Sequence, residues 1–245
     1  MKERPILFSG PMVRAILEGR KTQTRRIIKL PHNNPLGAWE PTTAGAGSVK
    51  YAGGTPTPEL AAIWHTRTGD CYVCPHGDVG NSLWVRETHE VRRIGTETFE
   101  GARPMRRYAG IAYQADNGRA EVDIDLDTFQ ALYAKESRGW TPSIHMPRWA
   151  SRITLEITGV RVERLQSISE SDAIATGIET FETDDPDLHG MWRDSSEEGM
   201  ASGNPIGSFL TLWDGINAAR GYGWDQNPWV WAIDFRREEG ECTPR

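Results

Sequence analysis

The chain has 245 residues, of which 28 are lysine or arginine and 34 are aspartate or glutamate, so its formal net charge is −6. An apolar fraction of 38% with 25% charged residues excludes a wholly disordered chain, and the length suits one large domain or two small ones. No apolar run approaches the ~18 residues of a membrane helix, no signal-peptide core follows the start, and three cysteines cannot form a disulfide framework. We therefore expect a cytoplasmic protein without membrane contacts.

The first 60 residues carry strand and helix signals in turn. Residues 5–8 form a short apolar run before a Ser-Gly-Pro turn, which predicts a strand. Apolar residues at a helical period follow Pro11 and end near Gly19, which predicts a helix between these two residues. Residues 22–28 have the β-branched content of a strand. Residues 31–60, with repeated Pro, Gly and Thr, are predicted to be a long loop.

The rest of the chain has clearer strands. Residues 152–165 alternate between apolar and polar side chains except at Gly159, which predicts a bent or bulged strand. Two helices are expected, one opened by a capping box at Ser169 and one over residues 205–220. The other predictions are strands over residues 82–88, 108–114 and 228–235, a hairpin turn at residues 116–118, and an acidic mobile loop over residues 183–203. Since strands outnumber helices and parallel βαβ units are scarce, we expect an α+β fold, a small β-barrel decorated with helices and long loops.

The segment from Gly19 to Arg26 combines a lysine, a threonine and arginines where the first helix gives way to a strand. Lys21 can project there into a pocket, in which desolvation and neighbouring cations lower the pKa of its amine. In the strand, Thr24 and Arg26 share one face. The Lys21 amine could activate the Thr24 hydroxyl as a nucleophile. The alternative is a basic helix end whose positive charge lies near the C-terminal helix dipole.

Gly19, Lys21, Thr24 and Arg26 match the pattern Gly-x-Lys-x-x-(Glu or Thr)-x-Arg, and in this respect the chain resembles ASCH-domain proteins, members of the PUA-like fold group. The segments that resemble phage and prophage ASCH proteins are residues 5–13, 74–77, 83–88, 144–153, 221–225 and 227–231. The resemblance implies a PUA-like β-barrel that associates with RNA or modified nucleosides. It further implies a single domain over residues 1–245, with insertions near residues 35–70, 96–142 and 180–204.

Small bacterial relatives in this family are amidohydrolases that remove the acetyl group from N4-acetylcytidine, and their active site is a Lys, a Thr and a Glu. Lys21 and Thr24 match the first two, whereas Thr176 stands where the resemblance implies the Glu. The carboxylates that could take its place are Glu87, Glu170 and Glu179. With Glu87 taken as the third catalytic residue, the resemblance implies hydrolysis of an N4-acyl amide on cytidine-type bases. The alternatives are a non-catalytic module of phage origin that binds RNA or another nucleic acid, and a structural or host-interaction protein.

A group of aromatic and basic residues is assigned to substrate binding. Aromatic rings interleaved with guanidinium groups can stack bases and hold phosphates, and Trp149 lies between Arg148 and Arg152 in this way. Core packing is the alternative role for Trp149, as it is for the other tryptophans. The full assignment is Arg20, Arg26, Arg86, His145, Arg148, Trp149 and Arg152.

Four possible zinc ligands lie within twelve residues, namely His65, Cys71, Cys74 and His76. The Cys-x-x-Cys spacing suits a zinc knuckle, but the gap between His65 and Cys71 is unusual for one. The alternative is a packed Cys74 with Cys71 beside it by chance. We expect that the protein holds no metal and no cofactor.

Overall fold

The computed structural model describes residues 2–45, 59–98, 104–135, 139–196 and 200–238. Within these ranges the fold is mixed α and β, with strands in the majority. No helix among the described residues is long and apolar enough to cross a membrane. The helices are α1 (Gly10–Leu17), α2 (Leu126–Tyr133), α3 (Glu170–Ala175) and α4 (Pro205–Asn217). The strands are β1 (Glu3–Leu7), β2 (Gln23–Ile27), β3 (Trp39–Ala44), β4 (Leu60–His65), β5 (Cys71–Val73), β6 (Ser82–Arg86), β7 (His89–Thr98), β8 (Pro104–Tyr113), β9 (Arg119–Asp123), β10 (Thr154–Arg164), β11 (Trp192–Arg193), β12 (Ala201–Ser202) and β13 (Trp229–Arg237).

The described residues divide into two compact units. The first unit contains residues 2–18, 82–156 and 237–238, and the second contains the described parts of 19–81 and 157–236. Lys21 and Thr24 therefore belong to the second unit, whereas Glu87 belongs to the first. The single domain expected over residues 1–245 stays a prediction.

The first unit is built on two groups of strands. β1 pairs with β6 in parallel, and the start of β10 pairs with β6 in antiparallel orientation. β7, β8 and β9 form a separate antiparallel sheet in that order. One face of this sheet packs with α2 around a buried cluster of Val91, Ala109, Ile111, Tyr113, Val122, Leu132, Met146 and Ala150.

The second unit contains the strands around Lys21. β2 pairs with β13 in antiparallel orientation, and β13 is also the neighbour of β10. β3, β4 and β5 form an antiparallel sheet in that order, and β11 pairs with β12. α3 and α4 contribute to a buried cluster made of Leu165, Ile168, Ala173, Ile178, Phe209, Trp213 and Val230.

Local signals at helix and turn boundaries are confirmed by the structure. α1 has Pro11 in its first turn, and Gly19 adopts a positive φ of +75° just after the helix. At the start of α3, the Ser169 hydroxyl accepts a hydrogen bond from the Asp172 N–H at 3.1 Å, as a capping residue does. The hairpin between β8 and β9 turns at Asn117, whose φ is +57°.

Other expectations are wrong. β3 and the start of β4 occupy part of the loop expected over residues 31–60, of which residues 46–58 lie outside the described residues. β3 contains Pro41, which is compatible with a strand because β3 lies at the edge of its sheet. β10 continues through Gly159 without interruption, and the bend or bulge expected there stays a prediction. In the acidic segment, β11 and β12 pair where only a loop was expected.

Gly159 allows β10 and β13 to carry their charged side chains close together. A Cβ at this position would lie 2.9 Å from Oδ2 of Asp234, and the Asp234 carboxylate is held in place by Arg161 and by Gln23. A methyl group at residue 159 therefore has to displace an anchored carboxylate.

We predict that Gly159→Ala lowers the free energy of unfolding by about 1–3 kcal/mol, the usual range for overpacking. The matched control is Gly215→Ala in α4, where a new Cβ meets no atom within 4 Å. The control should be stabilised by up to about 1 kcal/mol, because alanine is the better helix former. Urea denaturation of both variants measures these changes, and equal stability of the two would contradict the close contact.

Candidate functional site

Lys21 lies between α1 and β2 and is buried, with 4% of its surface exposed. Its Nζ donates hydrogen bonds to the Gln23 carbonyl at 2.9 Å and to the Thr176 carbonyl at 2.7 Å. Thr176 is the residue that the resemblance places at the catalytic carboxylate. Its hydroxyl donates to the Ala173 carbonyl at 2.6 Å, so it is the backbone of residue 176, not its side chain, that contacts the lysine.

The contact belongs to a set of hydrogen bonds that caps the C-terminus of α3. The last carbonyls of a helix have no partner within the helix and need donors from elsewhere. Here the Ala175, Thr176 and Gly177 carbonyls accept from the Thr22 N–H at 2.9 Å, from Lys21 Nζ at 2.7 Å and from Arg20 Nη1 at 3.4 Å, respectively. The positive charge of the basic segment thus lies at a helix C-terminus, as the alternative interpretation expected, but the helix is α3 and not α1.

Burial, together with the smaller effect of the positive charge of Arg26, lowers the pKa of the Lys21 amine from 10.5 to about 7. Burial also lowers the pKa of Arg26, to about 10, so this guanidinium stays charged at neutral pH. An amine with a pKa near 7 is partly neutral under physiological conditions. A neutral amine still has two N–H donors, which is enough for the two carbonyl contacts of Lys21.

The two faces of β2 differ in their surroundings. Gln23 and Arg25 lie on one face, since Gln23 Nε2 donates to Asp172 Oδ1 at 2.7 Å and Arg25 Nη2 donates to Asp172 Oδ2 at 3.0 Å. Thr24 and Arg26 therefore lie on the opposite face, as the alternation of a strand predicts. Thr24 is 5% exposed and stands opposite Ile233 of β13.

An ion-pair network covers the Gln23 and Arg25 face of β2. Arg161 contacts Asp172 at 3.2 Å, Glu163 at 2.8 Å, and Asp234 through Nη1. Arg25, whose side chain is completely buried, contacts Glu163 at 2.9 Å as well as Asp172. Because its members come from β2, β10, α3 and β13, the network joins four elements of the second unit. Sequence reasoning did not identify it, and the alternation of charged side chains along β10 was the available signal.

Glu87 is the centre of a different cluster, in the first unit. It is 2% exposed, and its carboxylate accepts two hydrogen bonds from Arg152, each at 2.9 Å. The same guanidinium binds Asp116 through two further hydrogen bonds of 2.9 and 2.7 Å and stacks 4.0 Å from the centroid of the Tyr113 ring. Gly118 leaves room for this pair, because a Cβ there would lie 2.5 Å from Arg152 Nη1.

The charged groups of this cluster differ in their proton affinity. Burial raises the pKa of Glu87 above its usual value, although Arg152 acts against this shift. The hydrogen bond from Arg152 lowers the pKa of Asp116. Burial by itself would lower the pKa of Arg152. The hydrogen bonds to Glu87 and Asp116 outweigh this effect, so the pKa of the guanidinium is raised. In this cluster the guanidinium of Arg152 is paired with two carboxylates, those of Glu87 and Asp116.

The other residues assigned to substrate binding in the first unit have protein partners of their own. Arg148 Nε donates to Glu3 at 2.8 Å, and Arg86 Nη1 donates to the Ile144 carbonyl at 3.1 Å while its guanidinium lies 4.8 Å from the Trp84 ring. Trp149 is half-buried and packs against the core cluster of the β7–β9 sheet. His145 is exposed in a short 3₁₀ turn.

The remaining alternatives for a carboxylate lie in the second unit. Glu170 is exposed at the first position of α3, and Glu179 pairs with Arg193 at 2.8 Å. Of the three carboxylates considered from sequence, Glu87 is the one that is buried.

The possible zinc ligands do not form a metal centre in the described part of the chain. No group of three or more His, Cys, Asp or Glu side chains there has an arrangement that could hold a metal ion. His65 is completely buried, and its Nδ1 accepts hydrogen bonds from the backbone N–H groups of Arg67 and Thr68 at 3.3 and 3.2 Å. Cys71 is exposed and Cys74 is buried.

The burial of Lys21 predicts a pH dependence of stability. Between pH 7 and pH 10.5 the unfolded chain holds a proton on Lys21 that the folded chain has lost, so raising the pH in this window favours the folded state. Relative to Lys21→Met, the free energy of unfolding of the wild type should therefore rise with pH, by at most about 1.4 kcal/mol per pH unit. Chemical denaturation from about pH 6 to pH 10 measures this slope.

Lys29→Met, at an exposed lysine two residues beyond β2, is the matched control for the loss of one lysine. The lowered pKa would be contradicted if the difference in unfolding free energy between the wild type and Lys21→Met did not change with pH, as is expected for Lys29→Met.

Comparison with known proteins found no match for the chain among family models, curated proteins or solved structures. Two groups of chemistry-bearing side chains are considered for function: Lys21 of the second unit, bound to the Gln23 and Thr176 carbonyls, and the Glu87–Arg152–Asp116 group of the first, in which Glu87 is buried.

Proposed function

We propose that the protein is an ASCH-type amidohydrolase of the PUA-like fold group that cleaves an N4-acyl amide on cytidine-type bases, with Lys21 as the base and Thr24 as the nucleophile. The observation that carries the proposal is the buried amine of Lys21, whose pKa is lowered to about 7. A general base works best when its pKa lies near the working pH, and lysine reaches this range only through burial and neighbouring cations.

The contact between Lys21 and residue 176 also supports the proposal. The resemblance implies that the residue at position 176 faces the catalytic lysine, and the Thr176 carbonyl does contact Nζ at 2.7 Å. A backbone carbonyl cannot take up a proton as a carboxylate can, but it orients the amine. We propose that Lys21 handles the proton without a carboxylate.

The proposed reaction has two steps. In the first, the neutral Lys21 amine takes the hydroxyl proton of Thr24, and Thr24 Oγ bonds to the amide carbon. The bond from this carbon to N4 breaks, and the Lys21 ammonium returns the proton to the departing N4. In the second, water attacks the acyl ester on Thr24 and releases the carboxylic acid and free Thr24. Arg26, on the same strand face as Thr24, stabilises the negative charge on the carbonyl oxygen.

A nucleoside fits the described charges better than a polyanion does. Arg148 and Arg152 were assigned to bind substrate, but their guanidinium groups are paired with Glu3 and with Glu87 and Asp116. A phosphate group would have to compete with these carboxylates. The second candidate, a module that binds RNA without chemistry, therefore has less support and becomes an outcome of the test.

We predict that Thr24→Val, which removes the hydroxyl at nearly constant volume, lowers kcat for N4-acetylcytidine hydrolysis by several orders of magnitude, and that Lys21→Met abolishes turnover. Thr24→Ser keeps the hydroxyl and is the matched control. For the wild type, kcat/KM should rise with pH through about 7, because the base has to be neutral. Product release by liquid chromatography measures each rate.

No turnover by the wild type, together with RNA binding whose affinity falls steeply with salt, would favour the binding module. Activity of Thr24→Val equal to that of Thr24→Ser would exclude the threonine as nucleophile.

Position 176 offers a second test. Thr176→Glu adds a carboxylate to the residue whose backbone carbonyl contacts the Lys21 amine, and a group that accepts and returns a proton contributes a typical ~10²–10⁴-fold to such reactions. We expect Thr176→Glu to raise kcat at least about tenfold, whereas Thr176→Gln, with the same size and no charge, should not. No turnover by any of these proteins would contradict the hydrolase.

A further inference from the structure

Asp172 is the residue through which α3 is fastened to β2. Its carboxylate accepts hydrogen bonds from three side chains at once: Gln23 Nε2 at 2.7 Å, Arg25 Nη2 at 3.0 Å and Arg161 Nη2 at 3.2 Å. Two of these donors belong to β2. An exposed ion pair contributes little to stability, but Arg25 is completely buried, and a buried charge that loses its partner costs several kcal/mol.

The other end of α3 contacts the segment just before β2. Four residues after Asp172, the Thr176 carbonyl accepts the hydrogen bond from Lys21 Nζ. The short helix is thus attached to residues 20–25 at both ends, by a side chain at its start and by its carbonyls at its end. The Thr22 N–H and Arg20 Nη1 also bind the end of α3, so Asp172 is the side chain that attaches the start of the helix to β2.

We propose that Asp172 is a positioning residue: its carboxylate holds α3 against β2 and thereby keeps the Thr176 carbonyl in contact with the Lys21 amine. Asp172 touches no substrate in this proposal and acts only through α3. The inference does not rest on the proposed hydrolase activity, because the protonation of Lys21 can be measured without substrate.

The charged groups around Asp172 allow its positioning role to be separated from its charge. They are Arg25 of β2, Arg161 and Glu163 of β10, and Asp234 of β13. The positive charge of Arg26 contributes to the low pKa of Lys21. Removal of a negative charge by itself disfavours the ammonium form and lowers the pKa of Lys21. Release of α3 admits water to the amine and raises that pKa, because burial is the largest cause of its low value. The two effects have opposite signs.

Asp172→Asn is the informative variant. An amide has one acceptor oxygen and one NH₂ group. The NH₂ group would face a donor from Gln23, Arg25 or Arg161 and could not accept its hydrogen bond. Glu163→Gln is the matched control, because Glu163 pairs with the same two arginines but belongs to β10 and not to α3. Both variants remove one negative charge from the same network.

The experiment is the titration of the lysine side chains by ¹³C NMR on the full chain without substrate. Because the chain has five lysines, labelled lysine gives few signals, and Lys21→Met identifies the signal of Lys21. We expect Asp172→Asn to raise the pKa of Lys21 by about one unit or more toward its ordinary value, and Glu163→Gln to leave it unchanged or slightly lower.

An unchanged or lowered pKa of Lys21 in folded Asp172→Asn would overturn the proposal and leave Asp172 with an electrostatic role only. Equal upward shifts in both variants would also overturn it, since a loss of network stability would then explain them. If Asp172→Asn does not fold, Gln23→Met decides, because it removes one of the β2 donors to Asp172 and leaves the charges in place. It should raise the pKa of Lys21 in the same direction, and no rise would contradict the positioning role.

Discussion

Removing an ammonium group from water is the constraint on which the described arrangement of the second unit depends. A buried charge needs polar partners, and Lys21 obtains them from the backbone of Gln23 and Thr176. A helix C-terminus has the complementary need, because its last carbonyls lack donors. The lysine and the end of α3 therefore satisfy each other's need for hydrogen bonds. The pKa of Lys21 is low because these hydrogen bonds do not fully offset the unfavourable burial of its charge.

β2 carries different kinds of side chains on its two faces. On one face, Gln23 and Arg25 enter a network whose other members lie on β10, β13 and α3. On the opposite face are Thr24 and Arg26, and Arg26 lowers the pKa of Lys21. The two-residue period of a strand is what keeps the two sets apart. In the proposed reaction, this network would support the strand that carries the Thr24 hydroxyl and Arg26.

Much of the fold could be predicted where the signal is local. Pro11 at the start of α1, Ser169 at the start of α3 and Asn117 in the hairpin act through the backbone of their immediate neighbours. β3 was missed because its Pro and Thr residues resemble a loop, and only its position at the edge of a sheet makes them compatible with a strand.

The site could be predicted only in part, for a related reason. Strand alternation is a local property, so the shared face of Thr24 and Arg26 was accessible from the sequence. The resemblance pointed to residue 176, but not to its backbone carbonyl as the partner of Lys21. The partners of Arg152 were not accessible, because Glu87 lies 65 residues from it in the sequence. A motif shows which residue types are present. Whether an arginine is available to a ligand or already neutralised by a carboxylate depends on the fold, and for Arg152 the carboxylates of Glu87 and Asp116 have taken the place that a phosphate would need.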